Sequence, residues 1–298
     1  MKYAVLGAGG VGGLVGGALA RAGHPVTLIL QPESAKRHPR YLSLRSQVLG
    51  EFKAPVAITS QLVLDADVMW IAVKATQLDD AVSRLRIEQF AHGLVIPLLN
   101  GIDHVAKLRA TYPPENVMPG SIRVESERTA PGEISQLSPF AAIQLAAAGP
   151  AAARGVQVAE EISAAGLTCE VVEDEASMLW GKMAFLAPLA LTTAAKSAPL
   201  GAIRSDKSWW RRLESCLTEV CHAGHAQGAR IDSAEALARL TAAPENTRSS
   251  MQKDLEAGRT PELDAIGGPV VRAGRAHGFD VSTTEDLMTI IAARAAQG

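Results

Sequence analysis

The opening residues leave the fewest choices for the fold. Tyr3-Ala4-Val5-Leu6 is a short apolar run, followed by Gly7-Ala8-Gly9-Gly10-Val11-Gly12-Gly13 and then by Leu14, Val15, Ala18, Leu19 and Ala20 at helical spacing. This order predicts a buried strand, a tight turn and a helix. In the G-x-G-x-x-G pattern, Gly7 permits the turn, Gly9 lets a pyrophosphate approach the backbone, and Gly12 lets the helix pack closely on the strand. Together with Ala8, Gly10 and Val11 these residues form a candidate cofactor-binding loop. Its exposed N–H groups and the helix dipole both favour negative charge. The alternative is an ordinary glycine-rich turn, but the strand before it and the helix after it are the context the motif requires.

A chain of 298 residues can build two domains with sizeable cores. Its formal net charge of −2 gives no support to nucleic-acid or anionic-membrane binding. Cys169, Cys216 and Cys221 are odd in number and lack metal-ligand spacing, so they read as reduced, mostly buried thiols and no metal site is expected. The longest uncharged apolar run, Met183 to Ala195, is too short to cross a bilayer and is flanked by lysines. The expectation is a cytoplasmic protein with a small-molecule partner.

Pro25 to Leu30 is the second strand expected. An acid at its end would accept from a ribose 2′-hydroxyl, whereas cations would suit a 2′-phosphate. The chain places neutral Gln31 there, followed by Glu33, Ser34, Lys36 and Arg37. This favours NADP(H), although Glu33 is an acid within reach and the two cations also suit a solvated loop. Val56-Ala57-Ile58 and Val68 to Val73 are further strands. Lys74 and Gln77 follow the second of these, where open parallel sheets bind ligands. Leu94 to Leu99 is another strand, ended by Asn100-Gly101, and the Asn100 amide would face a nicotinamide ring. Strand candidates at Ala141 to Ala147 and Thr168 to Val172 flank an alanine-rich helix over Ala151 to Ala165, so an α/β domain is expected over residues 1–173.

From Asp174 the periodicity turns helical, predicting an all-helical domain over residues 174–298. A long apolar helix beginning near Ala176 carries Lys182. That lysine either snorkels to water or points into a cleft, where desolvation lowers its pKa and makes it a usable proton donor. Arg211 to Ala226 is another helix, and Trp209 and Trp210 read as packing anchors. Ser249 or Ser250 suits a helix N-cap, and Pro261 with Glu262 and Asp264 suits a helix start.

Taken together, several short patterns stand in a familiar order. They are the glycine loop, Val73-Lys74-Ala75-x-Gln77, Leu99-Asn100-Gly101, Trp180-x-Lys182, Ser249-Ser250-Met251-x-x-Asp254, and Gly258-Arg259-x-x-Glu262-x-Asp264-x-x-Gly267-Gly268. Over essentially the whole chain they resemble the ketopantoate reductase (2-dehydropantoate 2-reductase) family of pantothenate biosynthesis. Glu219 with Gly228 fits a weaker pattern of the same family. The resemblance implies a Rossmann-type domain, a helical domain and an active site in the cleft between them, with NADPH reducing an α-keto acid. It implies Lys182 as the general acid, Glu262 as a catalytic residue beside the cofactor, Ser250 as a substrate contact, Asn100 as a contact to cofactor and substrate, and Lys74 near the cofactor. It leaves a homodimer open.

The sequence also departs from the family. Where relatives carry asparagines after the catalytic lysine, this chain has Leu186, Ala190 and Leu200, and the usual arginine after the second strand is Gln31. Losing hydrogen-bonding groups from a polar pocket changes which substrate is accepted. The alternatives to a 2-keto acid reductase are therefore a reductase of a bulkier or less polar carbonyl compound and an NADP(H)-binding sensor without turnover.

Overall fold

Short, wholly buried apolar runs build the first sheet of the computed structural model, which describes residues 1–63, 65–85, 90, 93–148 and 151–296. The first unit comprises Met1–Leu99 and His104–Glu173. Its elements are β1 (Tyr3–Leu6), α1 (Gly10–Arg21), β2 (Val26–Ile29), α2 (Pro32–Arg37), β3 (Tyr41–Ser46), β4 (Gly50–Pro55), β5 (Ala57–Thr59), β6 (Val68–Ile71), α3 (Leu78–Leu85), β7 (Leu94–Pro97), α4 (Asp103–Thr111), β8 (Gly120–Arg123), β9 (Ser126–Ala130), β10 (Glu133–Gln136), β11 (Ala142–Ala146), α5 (Ala151–Ala164) and β12 (Thr168–Val172). The first residue of α4, Asp103, belongs to the second unit.

The main sheet is parallel throughout, in the order β5-β2-β1-β6-β7. β1, β6 and β7 are buried along their whole length, as strands covered on both faces must be. This is the expected Rossmann-type arrangement, with the glycine turn at the carboxyl end of the central strand. A second sheet, β4-β3-β10-β9, packs against α1 through a stripe of glycines, and a third, β12-β11-β8, completes the unit. A Cβ on Gly10 would lie 2.1 Å from the Ser126 carbonyl oxygen, so β9 approaches α1 closer than any side chain allows.

The second sheet has no counterpart in the sequence-based expectations, which pass over residues 38–55. Its signal is a period of two, with Leu42 and Leu44 buried between more exposed neighbours. The segment after Gln31, for which a solvated loop is one of the two sequence readings, forms the short helix α2, with Gln31 as its cap residue and Pro32 at its first turn.

The second unit comprises Asn100–Asp103 and Asp174–Gly298. Its helices are α6 (Glu175–Lys196), α7 (Leu200–Ser205), α8 (Lys207–Ala226), α9 (Ser233–Ala242), α10 (Ser250–Glu256), α11 (Leu263–His277) and α12 (Ser282–Ala295). Asp174 caps α6 by accepting from the Ser177 N–H at 2.9 Å. Asp206 caps α8 in the same way, which starts that helix at Lys207 and places Trp209 and Trp210 on it rather than before it. Helices α8, α10 and α12 pack on α6, around Trp180, Met183, Leu191, Leu213, Val220, Ile266 and Leu287. By length and composition α6 could cross a membrane, but 78% of its most apolar stretch is buried in this unit. The length comes from the helix as a whole, whose uncharged run alone is shorter.

Glu219 performs a structural task. Its buried carboxylate accepts from the N–H groups of Thr283 and Thr284 and from the Thr284 hydroxyl, so a side chain of α8 caps α12. Cys216 and Cys221 are buried free thiols and Cys169 is half-buried. Burial pushes the Cys216 thiol up to about 12.

Candidate active site

The glycine turn in the first unit has the shape its motif requires. Gly7 lies at φ +96°, where an L side chain is strained. A Cβ on Gly12 would fall 2.0 Å from the Gly7 carbonyl oxygen, so the turn closes only with glycine there. Gly9, the cap residue of α1, has no atom within 4 Å of where its Cβ would be, and no side chain caps the helix. The N–H groups of Gly10, Val11 and Gly12 stand at the first turn of α1, where an α-helix offers no acceptor, beside the open space at Gly9. This is a cradle that a phosphate fits and a Cβ would fill. Ala8 is buried at its base. The Ser126 hydroxyl donates to the Gly10 carbonyl oxygen at 2.9 Å and braces the turn from β9. Sequence reasoning misses Ser126, because the contact spans more than a hundred residues.

Gln31 is exposed at the carboxyl end of β2. On α2 the two charges nearest to it are already engaged, since Lys36 donates to Glu33 at 2.6 Å, while Arg37 is exposed. Lys74 is half-buried in the turn after β6, where its carbonyl accepts from the Gln77 N–H.

In the second unit, Lys182 lies on α6, on the stretch that is not sealed in the core: Gly181, Lys182, Phe185 and Leu186 are all half-buried. Its ammonium makes no hydrogen bond or ion pair with the described residues, so its donors remain available. Burial pulls its pKa down to about 8, and the field of Glu262 opposes that fall. Glu262 is buried and stands at the cap position of α11, with Pro261 one residue before it rather than within the first turn. Its Oε2 accepts from the Asn100 side-chain amide at 3.1 Å.

Asn100 groups with this helical unit by its contacts, although it follows a strand of the sheet domain in sequence. Three contacts draw residues 100–103 away from the sheet domain. Gly101, at φ +83°, lies so close to the Ala265 carbonyl that a Cβ would meet it at 2.2 Å. Ile102 packs on the helical core, and Asp103 pairs with Arg272, which also holds Asp264.

The two serines divide their tasks. Ser249 caps α10 by accepting from the Gln252 N–H, and it is buried against the Thr193 hydroxyl at 2.8 Å. Ser250 is exposed at the first position of α10. Of the three apolar positions after Lys182, only Leu186 is partly open. Ala190 and Leu200 are sealed in the helical core.

Comparison with known proteins agrees with this arrangement. The family model described as "Ketopantoate reductase PanE/ApbA" matches residues 3–149, and "Ketopantoate reductase PanE/ApbA C terminal" matches residues 175–295. The chain belongs to the ketopantoate reductase family. Similar family members include a 2-dehydropantoate 2-reductase of Halobacterium salinarum, 26% identical with 98% of each chain covered. An uncharacterized oxidoreductase of Bacillus subtilis, YkpB, is 27% identical with 92% of each covered. Among solved structures, a PanE/ApbA family ketopantoate reductase from Ralstonia eutropha JMP134 superposes with a TM-score of 0.89 at 25% identity, over 100% of this chain and 99% of that one. D-mandelate dehydrogenase, solved with NADH and anilino(oxo)acetate, shares the fold with a TM-score of 0.87 at 21% identity, over 100% of this chain and 99% of that one.

Proposed function

We propose that the protein reduces a 2-keto acid to the 2-hydroxy acid with NADPH, residues 1–173 holding the dinucleotide and the helical domain from residue 174, joined by Asn100–Asp103, supplying the proton and the substrate contacts. The observation that carries the reading is the state of Lys182: half-buried, hydrogen-bonded to nothing described, lowered to about 8, and in the field of a buried carboxylate. A structural lysine on a core helix would extend to water or to an ion pair.

The dinucleotide, when bound, supplies a hydride to the carbonyl carbon. The first-turn N–H groups of α1 hold its pyrophosphate at the Gly9 opening, flanked by Gly7, Ala8 and Gly12. Lys182 donates a hydrogen bond to the substrate carbonyl oxygen, stabilises the charge that builds there, and delivers the proton. A pKa of about 8 suits that task, because the group is largely protonated at neutral pH and still gives its proton up readily. The field of Glu262 opposes the effect of burial and favours the charged ammonium. By holding Glu262 with its Nδ2, Asn100 leaves its Oδ1 to accept from cofactor or substrate. Ser250 offers a hydroxyl at an exposed helix start, and Lys74 lies after β6, at a strand end where such sheets bind ligands.

Support for NADPH over NADH comes from the end of β2. Gln31 carries no charge to repel a 2′-phosphate, Glu33 is occupied by Lys36, and Arg37 and the Ser34 hydroxyl are exposed. A second reading, a less polar carbonyl substrate, is favoured by Leu186, the apolar residue one turn beyond Lys182 on the open face of α6.

The test is turnover of ketopantoate beside apolar 2-keto acids, with NADPH and with NADH, for wild type and Lys182→Ala. The expected result is NADPH oxidation that falls ~100-fold or more in the variant while NADPH binding persists. Absence of turnover with every keto acid, or equal loss of binding and turnover, would point to the sensor instead.

A further inference from the structure

The motif at the start of α11 carries more than Glu262. Asp264 and Gly268 stand in the same stretch, and neither has a task in the chemistry proposed above. Arg272, about two turns along the helix from Asp264, donates from Nη1 to the Asp264 Oδ1 at 2.8 Å and from Nη2 to the Asp103 Oδ2. Helical side chains lean toward the N-terminus of their helix, so Arg272 reaches back to the first turn. Gly268 lies beneath this pair. A Cβ there would strike the Asp264 carboxylate and the Arg272 guanidinium, so the glycine lets both lie flat on the helix.

The segment this arginine holds is the one that delivers Asn100. Residues 100–103 make successive contacts along α11: the Asn100 Nδ2 donates to Glu262, Gly101 lies against the Ala265 carbonyl, and Asp103 receives Arg272. Proline has no N–H, so Pro269 denies the Ala265 carbonyl its usual donor four residues on, where Gly101 approaches. Gly101 therefore sets how closely the segment meets α11. Arg272 sets where along the helix it is pinned, and Asn100 is three residues from that pin. The Arg272 and Asp103 side chains are about half exposed and Asp264 more so. Ion pairs that open to water add little to stability, so what this one contributes is position.

We propose that Arg272 is a positioning residue for the reduction: by pinning Asp103 beside Asp264 it holds the Asn100 side-chain amide on Glu262, with the Asn100 Oδ1 left for cofactor or substrate. The catalytic consequence rests on the reductase reading above, whereas the placement of Asn100 does not.

Asn100, Asn116 and Asn246 are the only asparagines in the chain, so isotopic labelling of asparagine nitrogen gives three pairs of side-chain amide signals in an NMR spectrum of the full-length protein. The Asn100 pair is the one lost in Asn100→Ala. In Arg272→Met it is expected to move toward its position in Glu262→Gln, while the other two pairs stay and the urea midpoint changes little. Arg272→Lys, a point charge that cannot grip two carboxylates at once, should move it less. Gly268→Ala keeps every charge but crowds the pair, and should displace the signal in the same direction. With NADPH and a 2-keto acid, kcat/KM is expected to fall ~3- to 10-fold in Arg272→Met, and to fall no further when Arg272→Met is added to Asn100→Ala. A merely structural arginine predicts a lower urea midpoint with the Asn100 signal unmoved, and equal losses of activity in the two backgrounds. Either result overturns the proposal. If no keto acid is reduced, the reductase reading falls, and the Asn100 signal still decides the placement.

Discussion

Replacing Lys182 with Met should stabilise the protein while disabling it. The helical unit holds an ammonium whose pKa falls from an ordinary lysine's 10.5 to about 8, mainly because burial strips its water. Each tenfold change in proton affinity is worth about 1.4 kcal/mol, so the charged form costs the folded state up to about 3.5 kcal/mol, a figure that already contains the attraction to Glu262. Lys182 keeps some contact with water, which reduces the expected gain to ~1–3 kcal/mol. The sign follows from linkage. Below pH 8 both states carry the proton and the penalty is complete. Between pH 8 and 10.5 the unfolded chain binds more protons than the folded one, so the wild type recovers stability as pH rises. Methionine has a similar length and no charge, so it fills the same space without that penalty. The measurement is urea unfolding followed by tryptophan fluorescence, to which Trp180, Trp209 and Trp210 contribute from the helical unit, at pH 7 and pH 9.5. The variant should be the more stable at pH 7, with the difference shrinking by half or more at pH 9.5. A variant less stable at pH 7, or an advantage independent of pH, would refute the desolvated-lysine argument.

Other consequences follow from the same geometry. If Lys182 is the acid, kcat/KM should decline above a pH of about 8, and Glu262→Gln, which removes the field holding that proton on, should move the decline to lower pH. Ser126→Ala deletes the hydroxyl that braces the Gly10 carbonyl and should weaken NADPH binding roughly fivefold, the worth of one ordinary hydrogen bond, with kcat unaltered in steady-state assays. Gly101→Ala combines φ +83° with a Cβ placed against the Ala265 carbonyl, and should destabilise the fold by ~1–3 kcal/mol, read as a lower urea midpoint.

What could be read from the sequence was whatever chain neighbours decide among themselves. The strand, glycine turn and helix at the start are local, because the positive φ of Gly7 and the contact between Gly12 and the Gly7 carbonyl lie within one turn. The parallel strands announced themselves as uninterrupted apolar runs, and the change to helical periodicity at Asp174 and the apolar length of α6 marked where the helical domain begins. The presence of Lys182 in that apolar stretch posed a question that periodicity alone could not answer, since a lysine there serves equally well by reaching water.

Tertiary structure decided the rest. Asn100 reads as the end of a sheet strand, yet it is joined to the helical unit by its bond to Glu262, 162 residues away, and by the fit of Gly101 on α11. The serine pair was ambiguous as written. Packing buried Ser249 on Thr193 and left Ser250 exposed. The sheet containing β3 and β4 was silent because its short, half-polar strands gain their burial only on meeting α1 and β10. The charge state of Lys182 depends on which groups stand nearby in space and how little water reaches them. Local propensity acts between residues a few positions apart, whereas desolvation and ion pairing act over a few ångströms regardless of position, and only the folded chain sets those distances.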